Sequence, residues 1–251
     1  MSNYDWTPDE MMTIAAARHF RDRATCFVGV GTPSMAACLA RSLGAPGIVL
    51  IYESGVVGAK PAVAPLSIAD GELAETADAI VSVPEFFSYW LQGGRIDMAF
   101  LGTAQIDRFG NLNTTVAGEY LHPKVRLPGG GGAPEGARSS KEVFVLVKQS
   151  TRTFVEKLDF VTTAGRGKVK AVITDLGVLR PDAETGELAL AARHPHVSVD
   201  DVRAATAWPL RILDPFEESM PPTTAELAAL RDLESRTRMA HESEARLLKD
   251  K

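Results

Sequence analysis

The sequence predicts an α/β fold in which an open, mostly parallel β-sheet is covered by helices. Residues 25–30 and 47–52 are near-continuous apolar runs, and a helical pattern at 33–43 lies between them. Strands that are apolar on both faces and joined through a helix are typical of parallel sheets buried between helices.

A first helix is expected to begin at Pro8 and to end near Arg23. Thr7 suits the N-cap position, Pro8 suits the first helical position, and Glu10 completes a capping box. Apolar residues then recur at helical spacing, so we expect one face of this helix to be buried.

The middle of the chain alternates short elements with loops. We expect an irregular segment at 56–78, a strand at 79–83, a helix at 84–91 and a strand at 97–101. Residues 102–136 are rich in Gly, Asn, Thr and Pro, which predicts a strand and loops that carry function.

The second half of the chain predicts further strands at 142–147, 158–161 and 169–174, and a hairpin-like turn at 181–186. We expect two polar helices in the C-terminal tail from about residue 223. No linker or fixed-period repeat interrupts the pattern, so residues 1–251 are predicted to form a single domain with this helical tail.

Composition excludes several classes of protein. A net charge of −5 gives no overall field that would attract nucleic acid or an anionic membrane. Residues 1–10 are polar and acidic, unlike a signal peptide, and no apolar run is long enough to span a membrane. Cys26 and Cys38 belong to no Cys-x-x-Cys motif, which favours reduced core residues in a cytoplasmic protein.

The turn after the first strand has two interpretations. Gly29 and Gly31 open a helix as in a dinucleotide-binding fingerprint, and Glu53 has the spacing of that fingerprint's acidic residue. However, Ser34 stands where the third glycine belongs, and Pro33 removes an N–H from the helix start. A turn with only a structural role explains Gly29 and Gly31 almost as well as dinucleotide binding does.

Glu53 follows the second apolar strand directly. The carboxyl end of a parallel strand lies at the sheet edge where α/β proteins bind ligands. Ser54 and Gly55 permit a tight turn that leaves the glutamate projecting. A solvated glutamate at a strand end has the same pattern, so position alone does not establish catalysis.

Four segments carry a family resemblance. Residues 49–55 end in Glu-Ser-Gly, 102–113 contain Gln-Ile-Asp and Gly-Asn-Leu-Asn, 122–126 read His-Pro-Lys-Val-Arg, and 129–133 are glycine-rich. In this order and spacing they resemble the β-type subunits of family I coenzyme A transferases, glutaconate CoA-transferase among them. The resemblance covers about residues 5–215 and implies the α/β fold of that family.

The resemblance implies that Glu53 is the catalytic nucleophile of a CoA-transferase. An ionised carboxylate can attack an acyl-CoA thioester, and the returning CoA thiolate then forms a glutamyl-CoA thioester that a second acid consumes. Coenzyme A thioester is therefore expected as a substrate, with no bound cofactor. The histidines form no metal-ligand pattern, so no metal is expected.

By the same resemblance, a glycine loop contacts CoA or the acyl group. The residues expected at this binding site are Gly129, Gly130, Gly131, Gly132, Ala133, Ser54 and Gly55. Glycine backbone lets a ligand lie directly against N–H groups, although a mobile surface loop has the same composition. Pro134-Glu135-Gly136 departs from the family, whose members usually carry Asn or Asp soon after the alanine.

Other residues of the motifs are expected to support the site. Gln105, Asp107, Asn111 and Asn113 are predicted to hold turns near Glu53, because Asn and Asp bond readily to their own backbones. His122 is expected at a substrate carboxylate or a subunit interface. Lys124 and Arg126 suit carboxylate or phosphate groups.

The family resemblance also implies a partner. Family I transferases need an α-type half, and this chain is too short to contain both halves, so we expect a hetero-oligomer. Related chains that lack the glutamate act as acyl-CoA hydrolases or decarboxylases, and Glu53 argues against both. The remaining alternative is a non-catalytic α/β domain that binds a small molecule, without DNA-binding elements.

Overall fold

The computed structural model describes residues 5–247, apart from the side chains of residues 244–247. These residues divide into two compact units. The first unit comprises residues 5–88 and 222–247, and the second comprises residues 89–221. The single domain expected over residues 1–251 stays a prediction.

Helices are numbered in chain order. Within residues 5–247 they are α1 (Pro8–Ala17), α2 (Thr32–Leu43), α3 (Gly71–Glu75), α4 (Val83–Glu85), α5 (Ala133–Ser139), α6 (Val199–Ala204) and α7 (Thr224–Leu247). A π-helical segment, Phe86–Leu91, directly follows α4.

Strands are numbered in the same way. They are β1 (Thr25–Val28), β2 (Val49–Ile51), β3 (Val56–Ala59), β4 (Ala79–Ile80), β5 (Met98–Gly102), β6 (Gln105–Ile106), β7 (Leu112–Asn113), β8 (Val116–Gly118), β9 (Pro123–Arg126), β10 (Glu142–Leu146), β11 (Val169–Ile173), β12 (Gly177–Pro181), β13 (Leu188–Arg193) and β14 (Ile212–Glu218).

The first unit contains the predicted strand–helix–strand element. β1 pairs with β2 in parallel, and β3 and β4 extend the sheet in antiparallel orientation. Helices α1, α2 and α7 pack on one another. Leu50 and Ile51 of β2 are fully buried, as expected for a strand covered on both faces. This arrangement fixes where β2 ends, and thus where Glu53 lies.

Helix α1 begins with the predicted capping box. The Thr7 hydroxyl accepts from the Glu10 N–H at 3.2 Å, and the Glu10 carboxylate accepts from the Thr7 N–H at 2.7 Å. The expected end near Arg23 is wrong, because the helix stops at Ala17. Bonds of the i→i+3 type close the next turn, and Arg23 has a φ of 62°, which an α-helix does not admit.

A bidentate ion pair joins α1 to α7. Arg18 Nε and Nη2 each donate to the Glu226 carboxylate at 2.7 Å. Burial alone would raise the pKa of Glu226, but hydrogen bonds from Arg18 and Thr223 outweigh it and lower the pKa to about 2. The charged pair therefore holds the C-terminal helix against the start of the chain.

The second unit has a mixed sheet in the order β14-β13-β12-β11-β10-β5. β10 pairs in parallel with both β5 and β11, whereas β12 is antiparallel to its two neighbours. The Phe100 and Phe144 rings stack at 4.8 Å on adjacent strands. Two small antiparallel pairs, β6–β7 and β8–β9, lie within the loop-rich region predicted from its composition.

Three local predictions are wrong. Residues 158–161 form no strand; Phe160 and Val161 are exposed, so the apolar run there does not indicate burial. Segment 56–78 is not irregular throughout, because it contains β3 and α3 despite its prolines. The tail forms one helix, α7, because no glycine or proline interrupts residues 224–247.

The predicted α/β class is confirmed, and the predicted hairpin turn near 181–186 is also present. The Asp182 N–H donates to the Glu187 carbonyl at 2.8 Å, between β12 and β13. No helix among the described residues combines the length and the apolar character that a membrane span requires. Cys26 and Cys38 are both buried, and burial raises the pKa of the Cys38 thiol to about 12.

Candidate active site

Glu53 lies on a tight turn between β2 and β3. The Gly55 N–H donates to the Tyr52 carbonyl at 3.0 Å, and the Tyr52 N–H donates to the Val56 carbonyl at 3.0 Å. Glu53 and Ser54 occupy the two corners of this turn, and both are half-buried. The structure thus places the carboxylate at the carboxyl end of a buried strand, as the sequence predicts.

Gly55 locks this turn against the neighbouring chain segment. Its φ is +94°, and a Cβ at this position would lie 2.0 Å from the Val81 carbonyl oxygen. The Val81 N–H in turn donates to the Gly55 carbonyl at 2.8 Å. Only glycine tolerates both the dihedral angle and the close approach, so the backbone beside Glu53 is tightly constrained.

A directed hydrogen-bond chain includes Tyr52, the residue that precedes Glu53. The Ser34 hydroxyl donates to the Gly29 carbonyl at 2.9 Å and lies 3.3 Å from the Tyr52 hydroxyl. Because a carbonyl only accepts, Ser34 uses its proton on Gly29, and Tyr52 must donate to Ser34. Both side chains are fully buried, and burial raises the pKa of Tyr52.

The pairing of β1 with β2 sets the position of this chain. Phe27 of β1 lies opposite Ile51 of β2, so the ends of the two strands, which lead to Gly29 and Glu53, are adjacent. In the sequence, Gly29 and Ser34 stand out only as part of a glycine turn. Nothing in the sequence pattern marks Tyr52, which precedes the glutamate, as a supporting residue.

The same geometry argues against a dinucleotide site. Ser34 fills the helix–strand contact that the third glycine of the fingerprint leaves open, and a Cβ at Gly31 would meet no atom within 4 Å. Glu53 is followed by antiparallel β3 and not by a helix. The glycines therefore serve the turn, without the close packing that dinucleotide binding requires.

Asp107 and Asn111 organise the loop between β6 and β7. The Asp107 carboxylate accepts from the N–H groups of Phe109 and Asn111 and from the Asn111 side chain, at 2.9–3.0 Å. The Asn111 side-chain oxygen Oδ1 accepts from the Gly165 N–H at 3.1 Å. The two side chains thus hold the loop together and join it to the segment at Gly165.

Gln105 and Asn113 form a second pair. The buried Asn113 amide donates to the Gln105 side chain at 2.7 Å and to the Val116 carbonyl at 2.6 Å. Gln105 then donates to the Asp159 carboxylate at 3.0 Å. The sequence gives no sign of this role for Asp159, because the residue lies in a run that predicts a strand.

The glycine loop leaves much of its backbone accessible. Gly129 has a φ of +99°, and a Cβ there would meet no atom within 4 Å. Its N–H donates to the Thr114 carbonyl at 2.8 Å, which anchors the start of the loop. Within residues 5–247, the N–H groups of Gly130 and Gly131 have no hydrogen-bond partner, so they remain available to a ligand.

The departure from the family pattern at Pro134-Glu135-Gly136 has a structural explanation. Helix α5 begins at Ala133, with Pro134 and Glu135 in its first turn. The Ala133 N–H donates to the Gly130 carbonyl at 3.0 Å. Proline is favourable at a helix start, so these residues end the loop by beginning a helix.

The three basic residues predicted near the loop are exposed. Lys124 and Arg126 lie on β9, and His122 directly precedes this strand. The Arg126 guanidinium donates to the Tyr120 carbonyl at 2.6 Å and lies 4.7 Å from the centre of that ring. Arg126 is therefore held in place, while His122 and Lys124 are exposed to solvent.

The candidate residues thus fall into two groups. Glu53, Ser54 and Gly55 belong to the first unit, whereas the glycine loop and the supporting residues belong to the second. Within the second unit the structure joins Gln105 to Asn113 and Asp107 to Asn111. Among residues 5–247, no cluster of His, Cys, Asp and Glu could hold a metal ion.

Comparison with known proteins gives concordant matches. The family model described as Coenzyme A transferase matches residues 9–205. The chain is 54% identical to the B subunit of 3-oxoadipate CoA-transferase from Pseudomonas knackmussii, over 94% of this chain and 96% of that protein. It is 31% identical to the B subunit of glutaconate CoA-transferase from Acidaminococcus fermentans, over 88% of this chain and 90% of that protein.

A solved structure agrees with these matches. The glutaconate coenzyme A-transferase structure from Acidaminococcus fermentans superimposes with a TM-score of 0.82 at 30% sequence identity. The match covers 90% of this chain and 94% of that chain.

Proposed function

The chain belongs to the coenzyme A transferase family, and we propose that it is the B-type half of a two-chain CoA-transferase with Glu53 as its nucleophile. Coenzyme A thioester is a substrate in this proposal, and no bound cofactor takes part. The relatives named above are B subunits, which supports a separate A-type partner and a hetero-oligomer. Buried, reduced cysteines suit a cytoplasmic enzyme.

The position of Glu53 carries the proposal. Its carboxylate stands on a turn that backbone hydrogen bonds close and that Gly55 locks against Val81. A nucleophile gains most when the protein fixes its position before the reaction, because the entropic cost is met during folding. A solvated strand-end glutamate needs no such constraint.

The proposed chemistry has four steps. The Glu53 carboxylate attacks the acyl-CoA thioester and forms a mixed anhydride while CoA thiolate leaves. The thiolate attacks the glutamyl carbonyl and releases the first carboxylate, which leaves a glutamyl-CoA thioester. An acceptor carboxylate attacks this thioester and again frees the thiolate. The thiolate then attacks the acceptor's acyl carbon, and Glu53 is regenerated.

The glycine loop suits the CoA side of this reaction. The unpartnered N–H groups of Gly130 and Gly131 can receive carbonyl or anionic groups of a ligand. The Ser54 and Thr114 hydroxyl oxygens are buried without a hydrogen-bond partner in the described residues. Such orphaned groups are costly.

We propose a 3-oxo dicarboxylic acid as one acid substrate. The relative at 54% identity is named for 3-oxoadipate. His122, Lys124 and Arg126 offer exposed cationic or hydrogen-bonding groups that suit a second carboxylate. A panel of acyl acceptors, assayed with the two-chain enzyme, tests this choice. Preference for long, uncharged acyl chains would contradict it.

The Glu53→Gln substitution tests the nucleophile. It keeps the shape of the side chain but removes the attacking charge, so CoA exchange should fall by about 10⁴-fold or more. Co-purification with the A-type chain should persist. Incubation with acyl-CoA should give a CoA adduct on Glu53 in the unaltered protein and none in the variant.

Glu75→Gln provides a matched control, because Glu75 is an exposed glutamate of the same unit. It should leave CoA exchange unchanged. Near-normal exchange by the Glu53 variant would refute the proposal. Release of free CoA without an acceptor, at rates equal to exchange, would instead identify a hydrolase.

A further inference from the structure

A small cavity opens in the first unit, between the end of α2, the segment after β3 and the middle of α7. Its volume is about 290 Å³, near the lower limit for ligand pockets in proteins. Three cationic side chains line it, Arg41, Lys60 and Arg236, and none of the described residues that line it is acidic. This site, called the cationic cavity below, therefore has the size and the charge that suit a small anion.

Arg41 is the cation of the cavity whose charge is not matched within the described part of the chain. Its Nε is buried and has no hydrogen-bond acceptor there, and its guanidinium forms no ion pair with a described carboxylate. A buried donor of a charged group costs free energy when it lacks an acceptor. This donor is the strongest single indication that an acceptor group binds in the cavity.

Arg41 does not serve as a helix cap. It lies in the last turn of α2, where an arginine often donates to the final carbonyls. Its side chain donates to no carbonyl among the described residues. The Ser42 hydroxyl donates to the Leu39 carbonyl at 2.8 Å, and the Gly44 N–H donates to the Ala40 carbonyl at 3.2 Å. The helix end is thus closed by other groups.

The two remaining cations are held in place and keep donors for a ligand. The Lys60 ammonium pairs with Asp78. The Arg236 guanidinium donates to the Asp232 carboxylate at 2.8 Å and to the Ala62 carbonyl. Because a guanidinium has about five N–H groups, Arg236 retains several that can donate into the cavity.

The cavity keeps its positive charge despite the nearby acids. The side chains of Asp78 and Asp232 are 64% and 66% exposed, so water and salt screen them. The Glu72 carboxylate accepts from the Ala62 N–H and does not line the cavity. The Cys38 thiol does line it, but burial raises the pKa of this thiol to about 12, so the thiol stays uncharged.

The wall that carries Lys60 is fixed before a ligand binds. The Lys60 N–H donates to the Thr76 hydroxyl at the end of α3, at 3.0 Å. The Ala64 N–H donates to the buried Thr237 hydroxyl of α7 at 3.1 Å. A preformed site loses less conformational entropy on binding, so this arrangement favours a specific ligand.

The cavity lies at the opposite end of the β2–β3 hairpin from the proposed nucleophile. The hairpin turns at Glu53, and its open end is the pair formed by Leu50 and Ala59. Lys60 directly follows Ala59, so five residues of extended chain separate it from Gly55, roughly 16 Å at about 3.3 Å per residue. A ligand in the cavity is therefore distinct from an acyl group on Glu53.

We propose that the cationic cavity binds a phosphate-type dianion, at a site separate from the acyl-CoA site. Planar guanidinium groups match phosphate oxygens with parallel hydrogen bonds, and two of the three cations are arginines. Three cations also favour a dianion over a singly charged carboxylate. The ligand is inorganic phosphate or the phosphate group of a small ester, and the proposal does not depend on the role of Glu53.

Titration of the co-purified two-chain complex with inorganic phosphate, at constant ionic strength in chloride, tests the site. Calorimetry should show saturable binding. Arg41→Gln should weaken the affinity about tenfold or more, because a charged hydrogen-bonding group is lost. Arg238→Gln is the matched control, since Arg238 is an exposed arginine of α7 that does not line the cavity. It should leave the affinity unchanged.

Two further variants keep the test decisive if Arg41→Gln destabilises the chain. Arg236→Gln removes a cation whose helix position is exposed, so Tm without phosphate should be unchanged while the affinity falls about tenfold. Arg41→Lys keeps the charge but lacks Nε and the planar fork, so it should recover only part of the affinity that Arg41→Gln loses.

Competition identifies the source of the phosphate group. Displacement of inorganic phosphate by glycerol 3-phosphate would assign the site to phosphate esters, whereas failure to displace it would assign the site to inorganic phosphate. Both results support the proposed chemistry.

Three results would overturn the proposal. The first is the absence of saturable phosphate binding by the unaltered complex. The second is equal weakening in Arg41→Gln and Arg238→Gln, which would show a diffuse charge effect. The third is competitive displacement of phosphate by coenzyme A, which would make the cavity part of the acyl-CoA site.

Discussion

The Glu53 turn and the glycine loop both contain positive-φ glycines, yet the two are packed in opposite ways. At the turn, a Cβ on Gly55 would lie 2.0 Å from a backbone oxygen. At the loop, a Cβ on Gly129 would meet nothing within 4 Å. At Gly55 the neighbouring backbone leaves no room for a side chain, whereas Gly129 leaves open space beside the backbone.

This difference suits the two tasks that we propose for these segments. A nucleophile benefits from a rigid setting, which the close packing and the Tyr52–Ser34–Gly29 hydrogen bonds provide. A ligand-binding loop needs accessible N–H groups, which Gly130 and Gly131 provide. Substitutions at the two places should therefore separate stability from substrate binding.

The largest effect is expected from Gly55→Ala. The added Cβ clashes with the Val81 carbonyl, a backbone atom that cannot move alone, and φ is also unfavourable. The free energy of unfolding should fall by about 4 kcal/mol or more. Thermal denaturation measures this as a Tm lower by about 10 °C or more.

Gly94→Ala is the matched control for strain without a clash. Gly94 has a φ of +69°, and an added methyl group would meet nothing within 4 Å. This variant should lose only about 1–2 kcal/mol, the usual cost of a left-handed alanine. Equal Tm values for the two variants would contradict the claim that Val81 locks the turn.

An intermediate effect is expected within the Tyr52–Ser34–Gly29 chain. Ser34→Ala leaves the buried Tyr52 hydroxyl without an acceptor and the Gly29 carbonyl without its donor. We expect a loss of about 1–3 kcal/mol in the free energy of unfolding. Tyr52→Phe removes only the terminal donor and should cost about 0.5–1.5 kcal/mol.

The kcat and KM values of these two variants distinguish a role in positioning Glu53 from a role in stability alone. If the chain positions Glu53, kcat should fall more in Ser34→Ala than in Tyr52→Phe, while KM for acyl-CoA stays unchanged in both. Unchanged kcat in both variants at a temperature where they are folded would show that the chain only stabilises the core.

The elements that could be predicted from the sequence are those that a local rule governs. The capping box of α1 and the paired strands β1 and β2 depend on nearby residues, and Glu53 follows from where β2 ends. Hydrogen bonds between distant residues give no such signal. Ser34 and Tyr52 belong to separate sequence patterns, and only the folded structure shows that their hydroxyls meet.

The same limit explains the two wrong predictions for residues 158–161 and for the C-terminal tail. The apolar run at 158–161 has a strand's composition, but its polar residue bonds Gly118 and its aromatic residue stacks on Tyr120. The tail's polarity suggests two helices, whereas α7 is continuous. Arg18 fixes its first turn through Glu226, a contact that links opposite ends of the sequence.

A small effect on stability, and the most specific effect on binding, is expected from Gly129→Ala. The methyl group enters open space beside the proposed ligand backbone, so the free energy of unfolding should fall by only about 1–2 kcal/mol, from the φ of +99°. KM for acyl-CoA should nevertheless rise about tenfold with kcat unchanged, because uniform binding is lost.

Gly186→Ala tests strain alone, since Gly186 has a φ of +71° and is equally open but lies in the β12–β13 turn. It should lower Tm by a similar amount and leave KM unchanged. If both variants raise KM equally, the effect comes from general strain, and the glycine loop has no special part in binding coenzyme A.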